Sequence, residues 1–566
     1  MKKIFYMLII FILSACNFAF AENFVPGQPL ISVSELKPGM SGYALTVIKG
    51  MEPVRMPVKI VSIIPQKPGA AMTDKILIKF TGKNKLAQGM SGSPVFIKNK
   101  LAGAIRSGWE NSDQSLAIIT PIEDMIKIFN SEGSGVRREE LKKFTLSASG
   151  INANSLSGLS KALGLNITQG ISSGTRPLEI KDIKFKPGDA VAALLVWGDV
   201  EVSAAGTVTA TTKDGKFLAF GHDFLKRGKV SYPSAGAFIH ETVDSRTFPF
   251  KLASPLYING SITHDREAAI GGRAGIFPQS FYAELNFNNL DTNKKSRYKF
   301  RVVADEFLTA NLIEEIYKGL IAEAWDRKGQ GTMDVNLRIE GGNVPKGFAR
   351  RDIFFSDEDI TEAAFKDTAE MIGTYLTQPF DKTMPSSFIL SVSATERPSV
   401  LRIEDVTAPK KAKPGDEVEI KVKLREWRAG TTEKTFKLKI PDEASDVVEV
   451  IVRGGGVEPM EQTAINENLK TVDNLERLLT EFKAADANNE IIIELNSDTM
   501  GEALKNALNK NKSENDNDDE SDDFLPEELE FLSETKERRI KEGTLKIFSS
   551  DYVVDGMLKR IIHVEK

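Results

Sequence analysis

The stretch AQGMSGSPVFIKNKLAGAI, residues 87–105, decides how the chain is read. Two glycines bracket a serine, a proline releases the chain into the apolar run VFI, and KNK turns it back into LAGAI. That is a β-hairpin whose entry loop holds Ser91. Gly89 can take a backbone conformation closed to other residues, so a tight loop there can turn its amides inward. In that geometry the backbone N–H groups of Gly89 and Ser91 converge on a carbonyl oxygen under attack by the Ser91 hydroxyl. Such an oxyanion hole is worth about 3 kcal/mol in a transition state. Gly92 keeps the approach free of a side chain. The same Gly-Met-Ser-Gly frame occurs earlier, as GMSGYALTV at 39–47, with Tyr43 in the place of Ser93 and no proline before the strand. Ser41 therefore reads as part of a glycine turn that opens a strand.

Working outward, residues 27–130 alternate or run apolar in short segments broken by glycine: YALTVIKG, VRMPVKIVSII, KILIKF, and the hairpin above. They predict a first β-barrel unit. It closes with TPIEDMIKIF, where Thr120 can cap a short helix, Pro121 takes its first position and Glu123 completes a capping box. Polar residues 131–165 read as a connection. A second β-barrel unit comes next, over 166–290, with a cleft expected between the two. Residues 291–384 form an α+β region with helices at EFLTANLIEEIYKGLIAEAW and SDEDITEAAFKDTAEMIGTYL. Residues 385–455 alternate strongly around a KPGDE turn and predict a small β-sandwich. The C-terminal region, 456–566, carries a helix at TVDNLERLLTEF, a strand at EIIIEL, and at about 509–526 an acidic run with almost no apolar residue, read as a disordered insertion.

The N-terminus has two lysines ahead of an apolar run too short to span a bilayer, which reads as an export signal. Two exits compete. AFA at 19–21 suits cleavage before Glu22, giving a signal peptide 1–21. LSAC at 13–16 looks like a bacterial lipobox, giving a signal 1–15 and a lipid on Cys16 that tethers the protein to the membrane. Either route delivers the chain to the periplasm or cell envelope. Cys16 is the sole cysteine among 566 residues, so neither a disulfide nor thiol chemistry is available. The 79 acids and 74 bases, a net charge of −5, give no footprint for nucleic acid.

Histidine is scarce, with four in the chain: His222, His240, His264 and His563. None sits at a metal-ligand spacing, so no metal or cofactor is expected. A serine nucleophile needs a base. His222, in KFLAFGHDF, stands at the end of an apolar strand where a ring can point into a cleft. His264, in SITHDREAAIGG, is the runner-up.

GMSGSPVFIKNKLAGAIRSGW, TPIEDM, GTVTATTKDGKFLAFGHDFLKRGKV and HDREAAIGGRAGIFP together resemble the SpoIVB-type serine peptidases, distant relatives of the chymotrypsin-like double-barrel proteases. The likeness covers about residues 27–290. It implies a mainly β, chymotrypsin-like double β-barrel and an endopeptidase acting on protein or peptide substrates, with Ser91 as nucleophile and His222 as general base. The chain departs from the family in three ways. Ser91 precedes His222 instead of following it, an order a cleft tolerates because a triad is defined by geometry. No PDZ module is expected between the export signal and the serine motif. The family's acid lies shortly before the serine motif, where this chain offers Asp74 on the near side of a strand. Asp223 and Asp265 are the other acids in play, and a Ser–His dyad stays open. Met90 stands where chymotrypsin-like zymogens carry an aspartate, so no activation ion pair is expected.

Overall fold

Met56, Val58 and Ile60 point inward along one strand while Arg55, Pro57 and Lys59 point out. This period of two, repeated by Ile76, Ile78 and Phe80, builds the first of two compact units. The computed structural model describes residues 24–67, 73–130, 145–171, 178–381, 384–457, 472, 474–497 and 532–565. The export signal, Cys16 and the acidic run at 509–526 lie outside the described residues. One unit comprises Met1–Gly150 and Gly164–Gln279, the other Ile151–Leu163 and Ser280–Lys566.

In the first unit, β1 (Ser41–Val47), β2 (Pro53–Ile64), β3 (Lys75–Phe80), β4 (Pro94–Ile97), β5 (Lys100–Ser107) and β6 (Leu116–Pro121) close a barrel in the order β1-β2-β3-β6-β5-β4. The β4–β5 hairpin turns on Lys98 and Asn99, with φ of 53° and 59°. A two-residue turn with both φ positive matches the twist of its strands. The interior is apolar and includes Met90, 1% exposed. Burying that side chain contributes about 2 kcal/mol and pins the serine loop to the barrel core.

The strands β7 (Thr145–Ser149), β8 (Asn166–Gln169) and β9 (Glu179–Ile180) lead to six further ones: β10 (Ala190–Gly198), β11 (Glu201–Thr211), β12 (Lys216–Ala219), β13 (Gly228–Val243), β14 (Phe250–Arg266) and β15 (Ala269–Ala274). Here β10 pairs with β11, β11 with β12, β12 with β15, β15 with β14, β14 with β13, and β13 with β10. The pairings return to their start, and their order repeats that of the first barrel strand for strand. An apolar cluster of Phe96, Leu101 and Ala104 with Ala210 and Leu218 joins the two rings.

In the second unit, β16 (Ser280–Asn289), β17 (Lys294–Val303), β18 (Gly331–Gly341), β19 (Val344–Ser356) and β20 (Ser387–Thr395) pair in the order β17-β16-β20-β18-β19. Two helices, Thr309–Trp325 and Ile360–Thr377, pack on this sheet. Beyond it lies a sandwich, with one sheet built on Val400–Thr407, Glu417–Glu426 and Thr431–Lys439 and the other centred on Val447–Gly454. One apolar core serves both sheets.

Several expected boundaries move. The connection 131–165 contains β7 and a helix, Ala153–Leu163, while 131–144 lie outside the described residues. Residues 280–290 leave the second barrel region, because β16 pairs with β17 and β20 in the other unit. The sandwich loses 387–395 to that sheet and gains Glu490–Ser497, Leu545–Ser549 and Met557–Val564 from the region expected to be a separate C-terminal part. Thr120 does not cap. It is still extended in β6, opposite Ala104, so Pro121 becomes the N-cap of the helix Ile122–Ile126 and makes no side-chain cap.

Candidate active site

The serine loop runs from Leu86 to Ser93, between β3 and β4. Gly89 and Gly92 have φ of 84° and 90°, the left-handed region that glycine alone enters without strain. A Cβ on Gly92 would fall 2.0 Å from the Thr207 carbonyl oxygen and 2.3 Å from the Phe220 nitrogen, so the loop backbone lies directly on the second ring.

The carbonyls from Gln88 to Ser91 are all held. Gln88 O accepts from the Lys251 N–H at 3.0 Å and Gly89 O from the Thr207 hydroxyl at 3.1 Å. Met90 O accepts from the Ser93 N–H at 3.0 Å and the Ser93 hydroxyl at 2.6 Å, and Ser91 O from the Thr207 N–H at 2.8 Å. The N–H groups alternate. Those of Gln88, Met90, Gly92 and Ser93 donate to Pro249, Ala87, Ile105 and Met90 carbonyls. Those of Gly89 and Ser91 have no acceptor among the described residues. In a trans peptide the N–H points opposite to the carbonyl before it. With Gln88 O and Met90 O pulled back into the protein, the Gly89 and Ser91 amides are turned the other way.

Ser91, Gly89 and His222 line one cavity of about 190 Å³. Leu86, Ala87, Ile105 and Phe248 give it apolar walls, and Arg106 and Glu110 add charge.

His222 stands between β12 and β13, the place in the second ring that Ser91 occupies in the first. The chain reaches it through Phe220, whose φ of 69° is a strained value for an aromatic residue, and Gly221 at 68°. Gly221 O accepts from the Thr120 hydroxyl and, at 3.5 Å, from Arg106 Nη1. Beyond the histidine, Asp265 accepts the N–H groups of Phe224 and Leu225, both at 2.7 Å, and of Arg227 at 3.3 Å. Burial pushes the Asp265 carboxyl up to about 6 against these donors.

His222 is half-buried, with Nδ1 2.5 Å from the Asp223 carbonyl oxygen. A carbonyl only accepts, so Nδ1 carries the proton and the neutral ring keeps its lone pair at Nε2. Burial pushes the imidazole below its ordinary value. The Asp223 carbonyl and carboxylate oppose that shift, and the Arg106 guanidinium adds to it. Burial thus favours the neutral ring, and the Asp223 carbonyl favours the proton on Nδ1.

No match to this chain is found among models of known protein families, curated proteins or solved structures.

The other expected residues lie elsewhere. Asp74 sits just before β3, accepting from the Gln66 N–H at 3.1 Å, and does not line the cavity, since the serine loop departs from the far end of that strand. His264 bonds the Thr263 hydroxyl through Nδ1 and packs its ring on Phe129. His240 bonds Ser254 and His563 lies exposed in the second unit. Ser41 begins β1. Arg106 carries no mark of a site residue in the sequence. It occupies a β-bulge between Ile105 and Ser107, and a bulge re-aims a side chain without any fixed sequence signature.

Proposed function

We propose that the first unit is a serine endopeptidase with the double-barrel architecture of the chymotrypsin-like proteases. The observation that carries this reading is the alternation of used and unused amides along Gln88–Ser93, which leaves only Gly89 and Ser91 as donors beside a serine and a neutral histidine in one cavity. Two rings of identical strand order, each offering its third connection to that cavity, support the architecture.

In this reading Ser91 Oγ attacks the peptide carbonyl while His222 Nε2 takes its proton. The Gly89 and Ser91 N–H groups hold the oxyanion. His222 then gives the proton to the departing amine, and water, deprotonated by the same nitrogen, releases the acid and frees Ser91. The Asp223 carbonyl orients the imidazole as a triad carboxylate would, so the machinery is a Ser–His dyad. Substrates are envelope or secreted proteins if the export signal is used, with Cys16 as the tether where the lipobox is cut. The sandwich of the second unit serves to recognise or position a partner.

One observation favours a second reading, a non-catalytic binding module on the same core: His222 Nδ1 meets a backbone carbonyl where a triad places a carboxylate. Hydrolysis of a fluorescein-labelled unfolded protein separates the two. Cleavage that disappears in both Ser91→Ala and His222→Ala establishes the peptidase. Absence of cleavage by a wild-type chain that unfolds cooperatively favours the binding module.

A further inference from the structure

A lysine stands behind the serine loop. Lys251, in β14, is 7% exposed, with Nζ 2.8 Å from Thr46 Oγ1 and 3.5 Å from Thr207 Oγ1. No ion pair reaches it among the described residues, and burial alone pushes its ammonium down to about 7. Burying an unpaired amine is costly, so its contacts need a reason.

Those contacts converge on Gly89. The Lys251 N–H donates to Gln88 O. A Cβ on Gly89 would lie 3.1 Å from Lys251 Cδ and 3.2 Å from its Cβ, so the aliphatic stem packs against the bare glycine. At the end of the stem, Thr207 Oγ1 accepts from Lys251 Nζ at 3.5 Å, while the Ser93 hydroxyl, 3.3 Å away, gives its proton to Met90 O at 2.6 Å. With the lysine donor directed at its oxygen, the single Thr207 proton is left for Gly89 O, which can only accept.

We propose that Lys251 is a positioning residue for the oxyanion-binding amides: its Nζ directs the Thr207 hydroxyl at the Gly89 carbonyl, and its stem fixes the glycine turn, so that the Gly89 N–H is presented to the cavity. The role in catalysis rests on the serine-peptidase reading above. The placement of the loop does not.

The test uses the full chain with three variants. Lys251→Met keeps the stem and removes the donor. Thr207→Val keeps the shape and removes the hydroxyl, and Thr207→Ser keeps the hydroxyl. Three quantities are read: the labelling rate of Ser91 by a fluorophosphonate, kcat and KM on a peptide substrate, and hydrogen exchange of the 86–93 segment. Loss of one oriented oxyanion donor predicts that Lys251→Met and Thr207→Val lower the labelling rate and kcat by about 10²-fold with KM within about twofold. Exchange of 86–93 rises in both, and Thr207→Ser restores most of the rate. The unfolding midpoint of Lys251→Met stays at or above wild type, because a buried charge is replaced by an apolar group. An unchanged labelling rate in Lys251→Met, or kcat lost only together with a lower midpoint, overturns the proposal while leaving the peptidase reading in place. If the wild-type chain does not label, the peptidase reading fails. The exchange measurement then decides the loop placement alone, with unchanged exchange overturning it and raised exchange upholding it.

Discussion

At Gly39-Met40-Ser41-Gly42 the chain turns once, with Gly39 at φ 90°, and enters β1 at Ser41, which is exposed. At Gly89-Met90-Ser91-Gly92 it turns twice, with Gly89 at 84° and Gly92 at 90°. In the first copy Gly39 N–H donates to Ile60 O and Met40 O accepts from Ile60 N–H, so the segment is stitched into the β1–β2 ladder. In the second, the amides at 89 and 91 are left over. The next residue makes the difference. Ser93 is buried and folds its hydroxyl onto Met90 O, which draws the loop into a second turn. Tyr43 stacks on Phe96 instead, 5.2 Å between centroids, and carries its copy straight into the strand. Four shared residues specify one turn, and the fifth decides whether the serine joins a ladder or faces a cavity.

The largest expected contrast is between the two serines. Ser91→Ala lowers hydrolysis by about 10⁴-fold, and Ser41→Ala leaves it unchanged, measured on the same labelled protein substrate. An equal loss in both would dissolve the distinction. The second contrast concerns the loop of His222, the base proposed for Ser91 alone. Asp265→Ala strips the Phe224, Leu225 and Arg227 N–H groups of their acceptor, and should cost about 3 kcal/mol in chemical denaturation together with most of the activity. Third, Gly39→Ala and Gly89→Ala should separate. Both force alanine into a left-handed turn, about 1 kcal/mol each. At Gly39 the nearest atom to the new Cβ is Lys59 Cε at 4.0 Å, whereas at Gly89 the Lys251 stem must also give, and only there should kcat fall.

The smallest effect is a pH shift. In the proposed peptidase the base is neutral His222, so activity should rise with pH through the imidazole pKa. Because burial lowers that pKa, the midpoint of the acid limb falls below the ordinary value of about 6.5. Arg106 adds to the lowering and Asp223 opposes it. Arg106→Leu should therefore move the midpoint up and Asp223→Asn move it down, read from kcat/KM profiles, which report the free enzyme. Shifts of the opposite sign would place the titrating base elsewhere.

Much of the first unit is legible in its residues because the signals are local. The alternation in VRMPVKI, the glycines at 89 and 92, and the KNK turn each act within a few positions. The site's surroundings are not, because they depend on long-range pairing. Nothing near Lys251 announces that it packs behind a loop far away in sequence. Among many carboxylates, only the fold shows that Asp74 ties a hairpin while Asp265 braces the histidine loop. The β20 strand alternates like its sandwich neighbours. Its parallel register with β16, Tyr282 opposite Ser387, is a tertiary choice that period-two alternation cannot express.

The proposed peptidase assigns nucleophilic attack to the second Gly-Met-Ser-Gly segment and not to the first. Mapping a fluorophosphonate adduct by peptide mass spectrometry tests this most directly. A single adduct is expected on the peptide containing Ser91, abolished by Ser91→Ala, strongly slowed by His222→Ala and unaffected by Ser41→Ala. An adduct on Ser41, or one on Ser91 that forms equally fast without His222, would contradict it.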